Sequence, residues 1–383
     1  MEEKTGSTFK VPLTTIREIR PHANAEKLEV AVVYGFQVIV KKDVYVQGDP
    51  VFYIPIDSII PQKLEDHLFP PDAKIKLNKR RVRQIRIRGL ASQGMLVDPE
   101  DIDQVYGEDF DMSEIEKDYA QELGITKYEP PEVNVGTPGK PGTPRNKKRE
   151  NPNFHQYNGL DNIKWYPEKF KPDEFVVLQE KIHGTNARAA LMPFVANTFF
   201  KKLKKFFGFA PEYEFCYGSN QVQLQNKPGH KGFYGEDVYG KVFATLQVKE
   251  KLRPGEAIYG EIYGDGIQKN YNYGLKGEHA FVLFDVKVTE ADGTQRWLDP
   301  DEVREYAFQR GFKMVPEVYR GQFHSLEFVK QYTVGPSVLC PQQKVREGVV
   351  VKAYKNYSEF GNKRALKVIS EAYLDDHSNT DGH

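Results

Sequence analysis

Hydrophobic and polar residues alternate in short runs over roughly the first hundred positions. LEVAVVYGFQVIV, DVYVQGDPVFYIP and QIRIRGLASQGMLV carry alternating apolar positions, many β-branched residues, and Gly, Pro or Asp as punctuation. These are the signals of strands separated by turns. Several short strands between Phe9 and Val97 predict a small barrel, and a helix is expected near Met112–Leu123. The rhythm then changes. FVVLQEKI, EAIYGEIYG, AFVLFDVKV and REGVVVKAY predict strands, while Asp301–Arg310 and Ser325–Tyr332 show helical patterns. Strands and helices are interspersed without regular βαβ spacing, so an α+β domain is expected rather than a doubly wound sheet. No internal repeat is evident.

Between the two patterns, Tyr128–Phe154 holds six prolines, three glycines and a basic cluster without periodicity. Such a composition marks a linker. The expected organisation is a barrel over 1–125, a linker over 126–155, the larger domain over 156–375 and a polar tail over 376–383. Within the larger domain Asn197–Phe207 (NTFFKKLKKFF) reads as a basic amphipathic insertion. A surface helix with its Phe face packed on the domain is the simplest expectation, and a lid or an RNA contact is the alternative.

Length and composition add limits. A chain of 383 residues exceeds one ordinary core. At 39 % apolar, 13 % aromatic and 28 % charged residues it is globular in character. Lys+Arg and Asp+Glu both number 54, and a zero total does not exclude nucleic acid, whose binding depends on local clustering. Two cysteines, Cys216 and Cys340, supply neither a disulfide framework nor a cysteine-built zinc site. No apolar run approaches the ~20 residues needed to span a bilayer, and the polar N-terminus lacks a secretory signal core. An intracellular, cytoplasmic monomer without a membrane partner is the expectation.

Candidate chemistry begins at Gln179–Asn186, QEKIHGTN. A lysine is a poor nucleophile until burial or neighbouring positive charge lowers its pKa. A glycine three residues on permits a tight turn or a close approach of backbone to phosphate. Alone, K-x-H-G reads equally as a strand-end turn. Glu261 in IYGEIYG, Phe284-Asp285 in VLFDVKV, Glu347 in REGVVVKAY, and Lys363 and Lys367 in NKRALKVIS follow in order. Each is common by itself: Phe284 alone is core, and Glu347 alone a solvated strand residue.

This ordered set, over roughly Lys164–Ser370, resembles the covalent nucleotidyltransferase superfamily of DNA ligases, RNA ligases and mRNA capping enzymes. His183 with Thr185 and Asn186, in place of K-x-D-G, resembles the RNA ligase 2 and RNA-editing ligase branch. The resemblance implies an ATP-grasp-like nucleotidyltransferase domain in which Lys181 attacks the ATP α-phosphate to form lysyl-AMP. It implies that Glu261 accepts a hydrogen bond from a ribose hydroxyl and that Phe284 stacks on adenine. Glu347, with Glu261, would hold Mg²⁺ (or Mn²⁺), and Lys352, Lys367 and Lys363 would contact phosphates. Lys164, Glu180, Ile182 and Asn186 are further implied nucleotide contacts. Lysines and a metal suit the chemistry because negative charge builds on the phosphate as pyrophosphate leaves. The pattern departs from the family at Gly218-Ser219-Asn220, where Ser-Arg or Ser-Lys is usual; Lys227, Lys231 or Lys164 would have to supply the cation, or the contact is neutral.

From Lys74 to Arg88 eight of fifteen residues are basic. Alternation in RQIRIR predicts a strand with Arg83, Ile85 and Ile87 on one face and Gln84, Arg86 and Arg88 on the other. Beside a ligase domain, Lys79, Arg80, Arg81, Arg83, Arg86 and Arg88 read as an RNA phosphate groove. PHANAEKLEV and ASQGMLV resemble the OB-type tRNA-binding domain attached to some synthetases. Little chain follows Ser370, so no OB domain is expected behind the ligase domain, and an OB-like barrel in front resembles a smaller RNA ligase group of inverted order. The function implied is an ATP-dependent RNA ligase sealing 3′-OH and 5′-phosphate ends, with nicks in duplex as the guess from the branch. The rivals are a capping guanylyltransferase and an inactive RNA-binding protein on the same scaffold.

Overall fold

The computed structural model describes residues 9–73, 76–128, 150–224, 234–290, 292–359, 362–376 and 378–379. Lys74 of the basic run, most of the expected linker, and Lys227 and Lys231 lie outside the described residues. The chain forms two compact units: residues 1–131, 159–170 and 368–383 in the first, 132–158 and 171–367 in the second.

The first unit is built from short antiparallel strands. One sheet joins Leu13–Thr15, Pro50–Ile54 and Met95–Val97, and another joins Glu18–Pro21, Leu28–Val33 and Phe36–Lys41. Successive side chains on a strand point to opposite faces, and Pro50–Ile54 uses both. Phe52 and Ile54 enter one core with Val11, Leu13, Leu64 and Tyr119. Val51 and Tyr53 enter the other with Val33, Phe36 and Trp165.

The helix expected at Met112–Leu123 is absent, and Pro99–Tyr106 is helical instead. The backbone between 112 and 123 is drawn off by the strand before it. Amides of Glu116 and Tyr119 donate to the Leu13 and Val11 carbonyls, and the Val11 amide donates to the Asp118 carboxylate. Pro99 at the first helical position and Gly107 just past the end mark the real helix.

The basic run also differs from expectation. Its strand is only Ile85–Ile87, paired with Leu90–Ser92. Ile85 is exposed, whereas Gln84 is buried, donating to Glu371 O and Asp375 Oδ1, each at 2.9 Å. Upstream, Lys79 and Arg80 both have positive φ, at 53° and 58°, between the bridged Asn78 and Arg81. Arg81 is no surface cation: its guanidinium is buried, donates twice to Asp57 Oδ1 at 3.0 and 2.5 Å, and lies over the Tyr128 ring.

The second unit is the α+β part. Strands Glu317–Gln322, Phe175–Lys181, Gly348–Ala353 and Ala365–Ile369 form a four-stranded sheet in that order. A six-stranded sheet runs Gln223–Leu224, Tyr213–Ser219, Thr185–Pro193, Ala257–Gly264, His279–Thr289 and Gln295–Trp297. The helix Pro300–Arg310, started by an Asp299–Glu302 capping box, buries Val303, Tyr306 and Ala307 on the larger sheet's core. The helix Phe199–Phe206 does the opposite and buries nothing, which corrects the expectation of a packed Phe face. Among the described residues no helix is long and apolar enough to cross a membrane.

Candidate active site

Phe175–Lys181 belongs to the smaller sheet and Thr185–Pro193 to the larger, so the Lys181–Gly184 turn carries the chain from one sheet to the other. Gly184 fits this crossing for a steric reason. A Cβ there would stand 2.3 Å from the Ile262 carbonyl oxygen and 2.8 Å from Glu261 Cγ, so no larger residue allows the approach. The turn is tied down on all sides. The His183 amide donates to Tyr273 Oη at 2.7 Å, the Gly184 amide to Glu261 Oε1 at 3.2 Å, and Gln268 Nε2 to the Gly184 carbonyl at 2.7 Å.

Two carboxylates reach this turn from different sheets. Lys181 pairs with Gly348 across the smaller sheet, which sets Glu347 beside the lysine. Lys181 Nζ lies 2.6 Å from Glu347 Oε1, and His183 Nδ1 is 3.7 Å from Glu347 Oε2, past hydrogen-bond range. The larger sheet supplies Glu261, directly opposite Asn186. The buried Glu347 Oε2 and Asn186 Oδ1 have no hydrogen-bond partner among the described residues.

The same environment drives the two carboxyls apart. Burial alone would raise Glu347, but the Lys181 ammonium and His183 outweigh it and hold the carboxyl at about 2. Glu261 keeps some solvent exposure, yet loss of water around its carboxyl is the largest effect. With the Glu347 charge adding to it and Lys181 only partly opposing it, Glu261 is raised to about 8. Near neutrality the site therefore pairs a fixed negative charge with a carboxylic acid that can donate or accept a hydrogen bond, a separation typical of sites that handle charge.

Around this centre the expected residues divide. Phe284 falls at a bulge: Tyr259 pairs with Asp285 and Gly260 with Leu283, leaving Phe284 unpaired, half-buried and edge-on to Tyr157 at 4.8 Å. A bulge re-aims a side chain, here keeping an aromatic face partly open. Ile182 and Lys367 are buried. Glu180 faces away from the lysine, where Oε2 accepts the Val338 and Leu339 amides at 2.8 and 3.2 Å. Lys352 shares the sheet face of Lys181 four residues along, about 13 Å at ~3.3 Å per residue. Its amine is spent on Asp285 Oδ1 at 2.7 Å and the Phe284 carbonyl at 2.6 Å. Lys363 Nζ stands 3.1 Å from the Tyr157 ring centroid and 4.5 Å from that of Trp297. Desolvation first, with Lys352 and Lys287 adding repulsion against the pull of Asp285, lowers its amine to about 7. Lys164 falls in the first unit, where its buried amine donates to Gln93 Oε1 at 2.5 Å.

Sequence reasoning missed Tyr271 and Tyr273, which hold His183 from the ring edge at 4.8 Å and through its amide. It also missed Arg188. In the stretch without the usual Ser-Arg, Asn220 Oδ1 accepts the Tyr157 amide at 2.8 Å, and the Ser219 carbonyl accepts Arg188 Nε at 2.9 Å. A cation does stand beside Ser219, then, but it is a buried one that organises backbone.

The fold has counterparts among known proteins. The structure of Naegleria gruberi RNA ligase, as a lysine-to-alanine mutant with ATP and Mn, superposes with a TM-score of 0.71 at 23 % identity, over 96 % of this chain and 99 % of that one. The same ligase with PPi gives a TM-score of 0.70 at 23 % identity, over 97 % and 99 %. Both likenesses are of fold. An OB-fold domain model matches residues 11–99, which hold most strands of the first unit. The RNA ligase model matches residues 174–369, which contain Lys181, Glu261, Phe284, Glu347 and Lys367. That match spans just over half of the sequence, and the chain belongs to the RNA ligase family.

Proposed function

We propose that the protein is an ATP-dependent RNA ligase that joins 3′-hydroxyl and 5′-phosphate ends through AMP carried on Lys181. The observation that carries this reading is the Lys181–Glu347 contact at 2.6 Å, set in a turn that only glycine at 184 allows. In the first step Lys181 Nζ loses one proton before attack and a second as it forms an N–P bond to the α-phosphorus of ATP, both passing to solvent or to the departing pyrophosphate, whose P–O bond breaks. AMP then passes to the 5′-phosphate oxygen of RNA, and a 3′-hydroxyl displaces AMP as the phosphodiester closes. A carboxylate held near 2 is a weak base, so Glu347 orients the lysine rather than taking its proton. Glu261, protonated below about 8, is suited to hydrogen-bond a ribose hydroxyl, and the half-open Phe284 ring to stack on a base. Lys367 and Lys363 are the candidate phosphate contacts.

The donor set also fits a divalent cation. Glu347 Oε2 is a buried oxygen without a hydrogen-bond partner, and among the described residues no cluster of three or more His, Cys, Asp or Glu exists that would cage a metal. Mg²⁺ favours such sparse carboxylate sites because it keeps several waters. Bound at Glu347, with Glu261 near, it would neutralise charge developing on the phosphates. The Naegleria ligase structures with ATP, AMP and Mn support the same nucleotide and metal class.

Of the cations expected to meet RNA in the OB unit, Lys79, Arg86 and Arg88 are exposed, Arg80 and Arg83 are half-buried, and Arg81 is tied to Asp57. Arg86 already pairs with Asp375 at 2.8 Å, although its side chain stays exposed. The protein is expected to act as a monomer on nicked duplex. The test is ligation of nicked and single-stranded RNA with ATP or GTP as sole nucleotide. Sealing with ATP supports the reading; sealing or enzyme labelling only with GTP would overturn it.

A further inference from the structure

The helix Phe199–Phe206 is turned the wrong way for an ordinary surface helix. At about 100° per residue, Phe199, Phe200, Leu203, Phe206 and Phe207 fall within one arc of about 120°. Lys201, Lys202, Lys204 and Lys205 occupy the opposite side. Such segregation normally seats the apolar arc on the protein. Here the polar side is the anchored one: Lys201 Nζ lies 2.5 Å from Glu214 Oε2 on the neighbouring strand and 5.4 Å from the Phe194 ring centroid. Thr198 caps the first turn by accepting the Lys201 amide. The apolar arc is left in water, from 42 % exposure at Leu203 to 82 % at Phe206, and Phe209 beyond the helix is also exposed.

We propose that residues 199–209 form an interfacial anchor that lays this phenylalanine face into an anionic lipid surface. Lys202 and Lys204 border the apolar arc on either side, where their long stems can reach anionic headgroups while the rings sit at the acyl boundary. The composition argues against the other occupants. Protein interfaces are enriched in Arg, Tyr and Trp as well as Phe and are depleted in Lys, whereas this patch sets four lysines beside its phenylalanines and has no Arg, Tyr or Trp. Single-stranded RNA would need cations interleaved with stacking rings, whereas here rings and ammoniums are on opposite sides. The absence of a bilayer-spanning run does not bear on a helix that lies in the interface. Nothing in the ligation chemistry uses this segment.

The full chain is floated with phosphatidylcholine vesicles and with vesicles carrying about 30 % phosphatidylserine, the anionic headgroup that attracts basic segments. Binding to the anionic vesicles, at least tenfold above neutral ones, is expected. Phe200→Ser with Phe206→Ser, and separately Lys202→Glu with Lys204→Glu, should each reduce it by at least tenfold. Both variants should keep wild-type labelling by ATP and wild-type thermal unfolding. No vesicle binding by the wild type overturns the proposal. So does a loss in the Phe variant of RNA affinity, or of self-association, in place of vesicle binding.

Discussion

Two basic or nucleophilic stretches stood out in the sequence, and the fold treats them differently. At 181–184 the residues that matter are few and far apart in sequence, and the structure gathers them: Lys181 on Glu347, Gly184 on Glu261. At 76–88 the charges are adjacent in sequence, and the structure scatters them. Arg81 is consumed by Asp57 and Arg86 by Asp375, whereas Lys76, Lys79, Arg80, Arg83 and Arg88 show no such carboxylate pair among the described residues. A chemical constellation must converge to act, so its spacing carries information. A charge run need not share one surface, because each cation can be drawn to its own local partner.

The contrast can be broken experimentally, most sharply at Lys181. Lys181→Ala should lower enzyme labelling by ATP by about a thousandfold or more, since the nucleophile has no substitute. Glu347→Gln keeps the shape but removes the charge that orients the lysine. It should cost about 10²–10³-fold in the labelling rate, read in single-turnover kinetics. In the basic run Arg81→Ala should leave Asp57 buried and unpaired, destabilising the protein by about 3–5 kcal/mol in denaturant unfolding. Lys79→Ala and Arg80→Ala should leave stability within about 0.5 kcal/mol. Each should instead weaken RNA binding and reduce its salt slope by about 1. If Arg81→Ala proves neutral for stability but strips RNA affinity, the assignment within the run is reversed.

A further effect expected is one of pH. Glu261 is an acid near 4.5 in the unfolded chain and near 8 in the folded one. Its contribution to stability is therefore complete below about 4.5 and lost as pH rises to about 8, because the unfolded chain releases the proton first. Melting of the wild type and Glu261→Gln should diverge across that window, with the variant losing less on the alkaline side.

Much of the fold was legible because periodicity reports burial directly. The strands around 175–181, 257–264, 279–289 and 348–353 lie where the apolar runs put them. The helix placed at 112–123 failed because its amides are claimed by the Val11–Leu13 backbone, a long-range pairing that a local pattern cannot show. Asp98-Pro99 and Gly107 did announce the true helix. In the site, the ordered set that carried the family resemblance named a lysine and two carboxylates, and the structure brings all three to one turn. The engagement of Lys352 by Asp285 and the support of His183 by Tyr271 and Tyr273 were not, because nothing in the spacing says which side chain a buried group will face. The Asn197–Phe207 insertion was rightly read as an amphipathic helix, but its orientation follows long-range contacts such as Lys201 with Glu214 and Phe194, which a local pattern does not show.

Two lysines of this unit could carry AMP, Lys181 and Lys363. The Lys363 amine is lowered to about 7 by burial among Tyr157 and Trp297, so it is a second candidate nucleophile in the same unit. The deciding measurement is incubation with ATP and magnesium without RNA, then proteolysis and mass spectrometry of the AMP-bearing peptide. AMP on Lys181, with none on Lys363, is the result predicted. AMP on Lys363, or on any lysine in the Lys181→Ala protein at the wild-type level, would contradict it.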